Sequence, residues 1–203
     1  MLLLVVGLLI FLGVHLVPTA SDLRIGLVAR AGPGAYRAAF SLISLAGFVL
    51  IVVGFHKLQV HAGKNPQIWS PPAGLRHATL ALMLPAMILL ASAYIPSRIR
   101  TAVRHPMLYA ILLWALAHLL VRGDLGSMVL FGSFLGYAIY DRVSVTGRDS
   151  PGPLGHKTGG LQGDILAVTV GLALYAFMIT IGHEWLIGVA PIPSLSAPAM
   201  HAP

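Results

Sequence analysis

Histidine is the residue type in this chain whose placement could do chemistry. His15, His105, His118 and His183 stand in or next to long apolar stretches, and His56 and His77 lie at the ends of two others. An imidazole inside a bilayer is costly unless it has a partner, so each of these positions asks for one. Ligation of a metal such as iron is one answer, because neutral imidazole is a good axial ligand. A hydrogen bond to a neighbouring helix is the plainer answer, and it satisfies the ring without further consequence. Three segments set polar groups where an apolar run begins or continues. Gly13–Pro18 carries His15, Arg104-His105-Pro106-Met107 opens a run, and Trp114–Leu120 carries His118 with Trp114 one turn below it. Proline suits the first helical turn, where its missing N–H would be unpaired anyway.

The elements that must hold these side chains are apolar and long. Six stretches stand out: Leu2–Val17, Ala38–Phe55, His77–Ile95, Pro106–Val121, Leu125–Tyr140 and Ile165–Ala190. A helix rises about 1.5 Å per residue, so roughly 20 apolar residues cross the hydrocarbon layer. The chain is 57% hydrophobic and only 9% charged, with a mean hydropathy of +0.86. A soluble domain carries about 25% charged residues. The sequence therefore predicts an all-α, polytopic transmembrane helical bundle of about six spans over residues 1–190, with a disordered tail over residues 191–203. There is no room for a separate soluble domain.

Several functions fall away at this level. With no cysteine there is no disulfide, zinc–thiolate site, thiolate haem ligand or thiol nucleophile. No nucleotide-binding loop, nucleophile triad or paired carboxylate within a span points to hydrolysis or phosphoryl transfer. The net charge of +7 is not a nucleic-acid footprint, because the bases sit in loops flanking spans. Nine of them, Arg24, Arg30, Arg37, Arg98, Arg100, Arg104, Arg142, Arg148 and Lys157, follow the odd-numbered stretches; Lys57, Lys64, Arg76 and Arg122 lie on the other side. The positive-inside rule then puts the odd loops in the cytoplasm, with both termini outside. No base precedes the first apolar run and Pro18 interrupts a cleavage-type pattern, so Met1–Val17 reads as a retained span.

Smaller features have structural readings. Gly132 and Gly136 form a small-xxx-small pair suited to helix packing inside the bundle, or else to a dimer face. Pro85 predicts a kink. Gly147–Gly163, rich in Gly, Pro and charge, reads as flexible, with His156 and, in the tail, His201 as solvated residues. Asp141-Arg142 reads as an interfacial ion pair, and Trp185 as a membrane-belt residue beside Glu184.

The segments GVHLVP, YRAAFSLISLAGFVLIVVG (Tyr36–Gly54), LRH (Leu75–His77), RHPMLYAILLWALAHLLVRGDLGSMVLFGSF (Arg104–Phe134) and YDRVSV (Tyr140–Val145) together resemble the NnrU family of bacterial membrane proteins. The RHP…LWALAHLL…GD block is the specific part. The resemblance implies an integral membrane protein associated with nitrite and nitric oxide reductase expression in denitrification. It also implies kinship with 15-cis-ζ-carotene isomerase, an enzyme that carries haem b and isomerises a double bond without net redox change. The haem-binding histidines of that enzyme fall, by motif, on His15 and His118, and another functional histidine on His56. Where the isomerase has a cysteine three residues before the second ligand, this chain has Ala115, so a switch to thiolate is unavailable.

Depth along the spans points elsewhere. His15 ends the first span at the cytoplasmic face, whereas His118 lies thirteen residues beyond His105, about 20 Å along the helix. By that reasoning His15 matches His105, and His118 matches His56, His77 or His183; the pair implied by the resemblance, His15 and His118 on haem b, nevertheless stays the first expectation. Arg104, with Arg98 and Arg100, orients the chain or pairs with haem propionates at the inner surface. Two other functions compete. Arg104-His105-Pro106-x-x-Tyr109 resembles a cofactor-site motif of isoprenylcysteine and phospholipid methyltransferases, but Glu184 stands alone where they use an acidic pair. A non-catalytic assembly or regulatory factor would use the histidines for packing only. Partners expected from the whole reading are the bilayer and a hydrophobic small molecule, with no nucleic acid.

Overall fold

The computed structural model describes residues 1–61, 63–147 and 152–192, which form helices and connecting turns with no strand among them. Arg148, His201 and nearly all of the tail expected to be disordered lie outside the described residues. The chain divides into two compact units, Met1–Ser70 with Arg122–Asp149 and Pro71–Val121 with Ser150–Pro203.

The first unit contains α1 (Leu2–Leu16), α2 (Ser21–Val60) and α6 (Leu125–Ser144). α1 and α2 pack together because glycines let their backbones touch. A Cβ on Gly54 would lie 2.5 Å from the Leu4 nitrogen, and one on Gly7 would lie 2.7 Å from the Ile51 nitrogen. Gly132 and Gly136 do not play this part: a Cβ on either meets nothing within 4 Å, so the packing glycines are Gly7, Gly47 and Gly54. α2 is two helices meeting at a kink at Gly32, whose φ of 82° suits glycine, followed by Pro33; the second of them contains the expected Ala38–Phe55 and runs on to Val60. α6 is capped by Asp124, which accepts hydrogen bonds from the Ser127 N–H at 2.9 Å and hydroxyl at 2.7 Å. Asn65 donates to the same carboxylate at 2.6 Å and accepts from the Gly126 N–H at 2.8 Å, strapping the preceding loop to the start of α6.

The second unit contains α3 (Leu75–Ser92), α4 (Arg98–Val103), α5 (Pro106–Val121), α7 (Leu161–Phe177) and α8 (His183–Ile187). α3 is the shared platform, packed on one side by α5 and on another by α7. Ala115 and Ala117 are fully buried, and Thr79 on α3 donates to the Ala117 carbonyl at 2.9 Å. Tyr175 on α7 reaches the Leu80 carbonyl at 3.2 Å. α3 continues through Pro85 as one helix.

Four segments are long and apolar enough to cross a membrane: Leu2–Thr19, Ser21–Val60, Leu75–Ser92 and Leu161–Ile187, with Pro106–Val121 a shorter apolar helix. By this measure four of the six expected spans qualify. Their outer faces are apolar, with Leu9 70% and Leu42 67% exposed, as suits contact with lipid.

Candidate functional site

The second unit brings two histidines together. The imidazoles of His118 and His183 lie nearly parallel, 8° apart in plane, with ring centres separated by 6.2 Å. His118 sits in the last turn of α5, half-buried, and its Nδ1–H donates to the Trp114 carbonyl one turn back at 2.8 Å. Trp114 also flanks the ring, with centres 5.4 Å apart. His183 is held by a different device. The helix widens into a π turn over Met178–Gly182 immediately before it, and α8 ends at Gly188 in the left-handed conformation, φ 80°. That turn brings the Val189 carbonyl back to His183 Nδ1 at 2.6 Å. Only glycine passes through such a φ without strain. A π turn inside a helix often marks a functional position.

Each ring therefore has Nδ1 against a backbone carbonyl. Metal-ligating histidines are commonly oriented this way, with the other ring nitrogen tied to a carbonyl. The bond by itself is not diagnostic, because exposed His61 makes the same contact to the Lys57 carbonyl at 2.9 Å. The juxtaposition of two such rings is what distinguishes His118 and His183.

His15 belongs to the first unit and has a different environment. Its Nδ1–H donates to the Phe11 carbonyl at 2.6 Å, and the rings around it are aromatic: Phe11 stacked at 4.2 Å, with Phe40 and Tyr137 edge-on at 5.1 and 6.2 Å. The Tyr137 hydroxyl donates to the His15 carbonyl at 3.3 Å. Beside this cluster an apolar cavity of about 710 Å³ opens between α1 and α6, lined by Leu12, Leu16, Gly132, Gly136 and Tyr137 among others. His15 and His118, the pair implied by the family resemblance, thus fall in different units. His56 is half-buried near the end of α2, His77 is exposed in the first turn of α3, and His105 is half-buried just before α5.

The arginines expected to serve an anionic group are mostly engaged. Arg98 pairs with Asp164 on α7, whose carboxylate also accepts the Arg98 and Ile99 N–H groups. Arg100, buried, donates to the Lys157 and Gly155 carbonyls at 2.7 and 2.6 Å. These bonds pin the described part of the connection before α7, correcting the expectation of a flexible loop there. Arg104 is exposed and ends α4 with a φ of 65°, uncommon for a non-glycine residue. The methyltransferase-like motif Arg104–Tyr109 begins α5, whereas Glu184 adjoins His183 at the far end, about 18 Å along the helix from Pro106 to His118.

His183 stood at a depth matching His118 in the sequence, but no motif singled it out. The usable signal was local: a histidine five residues before a glycine at the end of the last apolar run. A family model described as NnrU protein matches residues 3–191. Comparison with curated proteins and with solved structures finds no match.

Proposed function

The chain belongs to the NnrU family, and from that premise we propose that it binds haem b among its membrane helices and supports nitrite and nitric oxide reduction in denitrification, in the bacterial inner membrane. The observation that carries the haem reading is His118. It is a half-buried imidazole on an apolar helix, oriented through Nδ1 by the Trp114 carbonyl in the manner common among metal-ligating histidines. Trp114, whose ring flanks His118, would pack against a porphyrin held there. Bound haem contributes a one-electron redox couple, tuned by its axial ligands and the polarity around it. The Trp114 carbonyl orients the imidazole.

A second reading rests on the apolar cavity of about 710 Å³ beside α1 and α6. It favours action on a hydrophobic molecule, in the manner of cis–trans isomerisation of a carotene. Ala115 removes the thiolate that the isomerase has available, so such chemistry would proceed with imidazole ligation alone.

The test is the haem content of the protein purified in detergent after expression with ample haem. The reading expects about one haem b per chain in the wild type and its loss in His118→Ala. A colourless wild type would leave an assembly or regulatory role as the account of the family membership. Reductase activities in a denitrifying host lacking the gene, complemented with either form, then separate denitrification from carotene chemistry.

A further inference from the structure

We infer that the first helix of α2, residues 21–31, lies along the membrane surface as an anchor that recognises anionic lipid, hinged at Gly32-Pro33 to the span that follows. The inference goes beyond the haem reading and does not depend on it.

Length raises the question. α2 runs over 40 residues, about 60 Å of helix, whereas the hydrocarbon layer is about 30 Å thick. The contacts with α1 show which part of it spans. Gly54 packs on Leu4, Gly7 on Ile51 and Gly47 on Phe11, and the His15 ring lies against Phe40. The two helices are therefore antiparallel, and α1 ends near the level of Phe40. The chain between them leaves and returns on the same side, so residues 21–31 sit at one face of the membrane. The kink at Gly32 and Pro33 frees this helix from the direction of the span, and the Arg37 Nε–H donates to the Pro33 carbonyl at 3.1 Å.

Composition says where the helix rests. None of residues 21–31 is buried. Leu23 and Leu27, both exposed, lie one turn apart on one face, with Arg30 and Arg24 at its two edges. Ile25 and Ala29 fall on the outward side. A helix of this kind sinks its leucines below the head groups while the arginine stems reach back up to them. Charge chooses lipid over protein as the occupant. Neither Arg24 nor Arg30 has an ion-pair or hydrogen-bond partner among the described residues, and Asp22 is the one acid in the helix. Lipid phosphates supply the missing charge. The positive-inside expectation puts Arg24, Arg30 and Arg37 on the cytoplasmic side, where the leaflet is anionic.

The chain has no cysteine, so a single nitroxide label can be placed at one chosen position. Full-length protein carrying Leu27→Cys or Ala29→Cys is labelled and reconstituted in phosphatidylcholine vesicles, with and without phosphatidylglycerol. Electron paramagnetic resonance then reads collisions of the label with oxygen, which concentrates in lipid, and with a water-soluble nickel chelate. In anionic vesicles the label at position 27 is expected to meet oxygen, and the label at position 29 to meet nickel. Adding Arg24→Gln or Arg30→Gln to Leu27→Cys is expected to lower the ratio of seated to lifted label roughly fivefold in anionic vesicles, and little in neutral ones. Nickel at both positions would overturn the inference by showing a helix that stands in water. Protection of position 27 from both reagents would overturn it by showing protein there, a second copy included. Seating that ignores both lipid charge and the two arginines would overturn the recognition of anionic lipid.

Discussion

A Cβ added to Gly171 on α7 would lie 2.6 Å from the Cα of Ile88 on α3. The two helices touch backbone to backbone at that point, and the contact fixes where the end of α7, and so His183, is carried. Gly171→Ala is therefore expected to cost about 1–3 kcal/mol, because the clash is with main chain that cannot swing aside. A lowered thermal midpoint in detergent, with weaker haem retention than wild type, checks it.

The glycines of the first unit divide into two kinds. Gly54→Ala places a Cβ against the Leu4 backbone, whereas Gly132→Ala meets nothing within 4 Å. The first is expected to destabilise by about 1–3 kcal/mol and the second to stay within about 0.5 kcal/mol of wild type. Parallel melting curves of the two variants give the comparison.

Asp124 links charge to folding. Burial works to raise its carboxyl, but hydrogen bonds from Ser127 and Asn65 and the nearby Arg122 outweigh it and hold the group below its ordinary value of 3.8. The unfolded chain then binds the proton more tightly. The stabilisation is present above pH 3.8 and is lost as pH falls through the lower, folded value. Asp124→Asn, which keeps a good cap, is expected to cost about 1–2 kcal/mol at neutral pH, and its stability curve should converge with that of wild type in acid.

Arg100 holds the connection before α7 through the Lys157 and Gly155 carbonyls. Arg100→Met removes both bonds, a loss of about 1.5–3 kcal/mol locally. Trypsin cleavage after the exposed Lys157 is expected to quicken roughly tenfold or more, since cleavage follows the population of the opened segment. Unchanged cleavage kinetics would mean the bonds do not restrain the loop.

The helical bundle was legible because apolar runs are long and charges few. Pro106–Val121 coincides with α5, since the Arg104-His105-Pro106 start and the Arg122-Gly123-Asp124 stop punctuate it on both sides. The helical segment from Ser21 to the kink at Gly32 was not among the expected spans, and Gly32-Pro33 is where the two helices of α2 meet. Gly132 and Gly136 misled for a related reason: spacing gives a face, and only tertiary contact says whether another helix meets it. The connection at residues 152–160 has the composition of a loose loop, but a buried arginine from α4 ties it down across more than fifty residues. The candidate site was half legible. His118 stood in a specific motif, whereas the placing of His183 depends on a π turn and a left-handed glycine that leave no periodic trace in the sequence.

The reduced-minus-oxidised visible spectrum of the detergent-purified protein, taken for wild type, His118→Ala and His61→Ala, reads directly whether His118 holds a haem. His61 makes the same carbonyl contact from an exposed position and serves as the control. Sharp reduced α and β bands are expected in wild type and His61→Ala, and their loss in His118→Ala. Bands of equal intensity in His118→Ala, or none in wild type, would contradict haem ligation by His118.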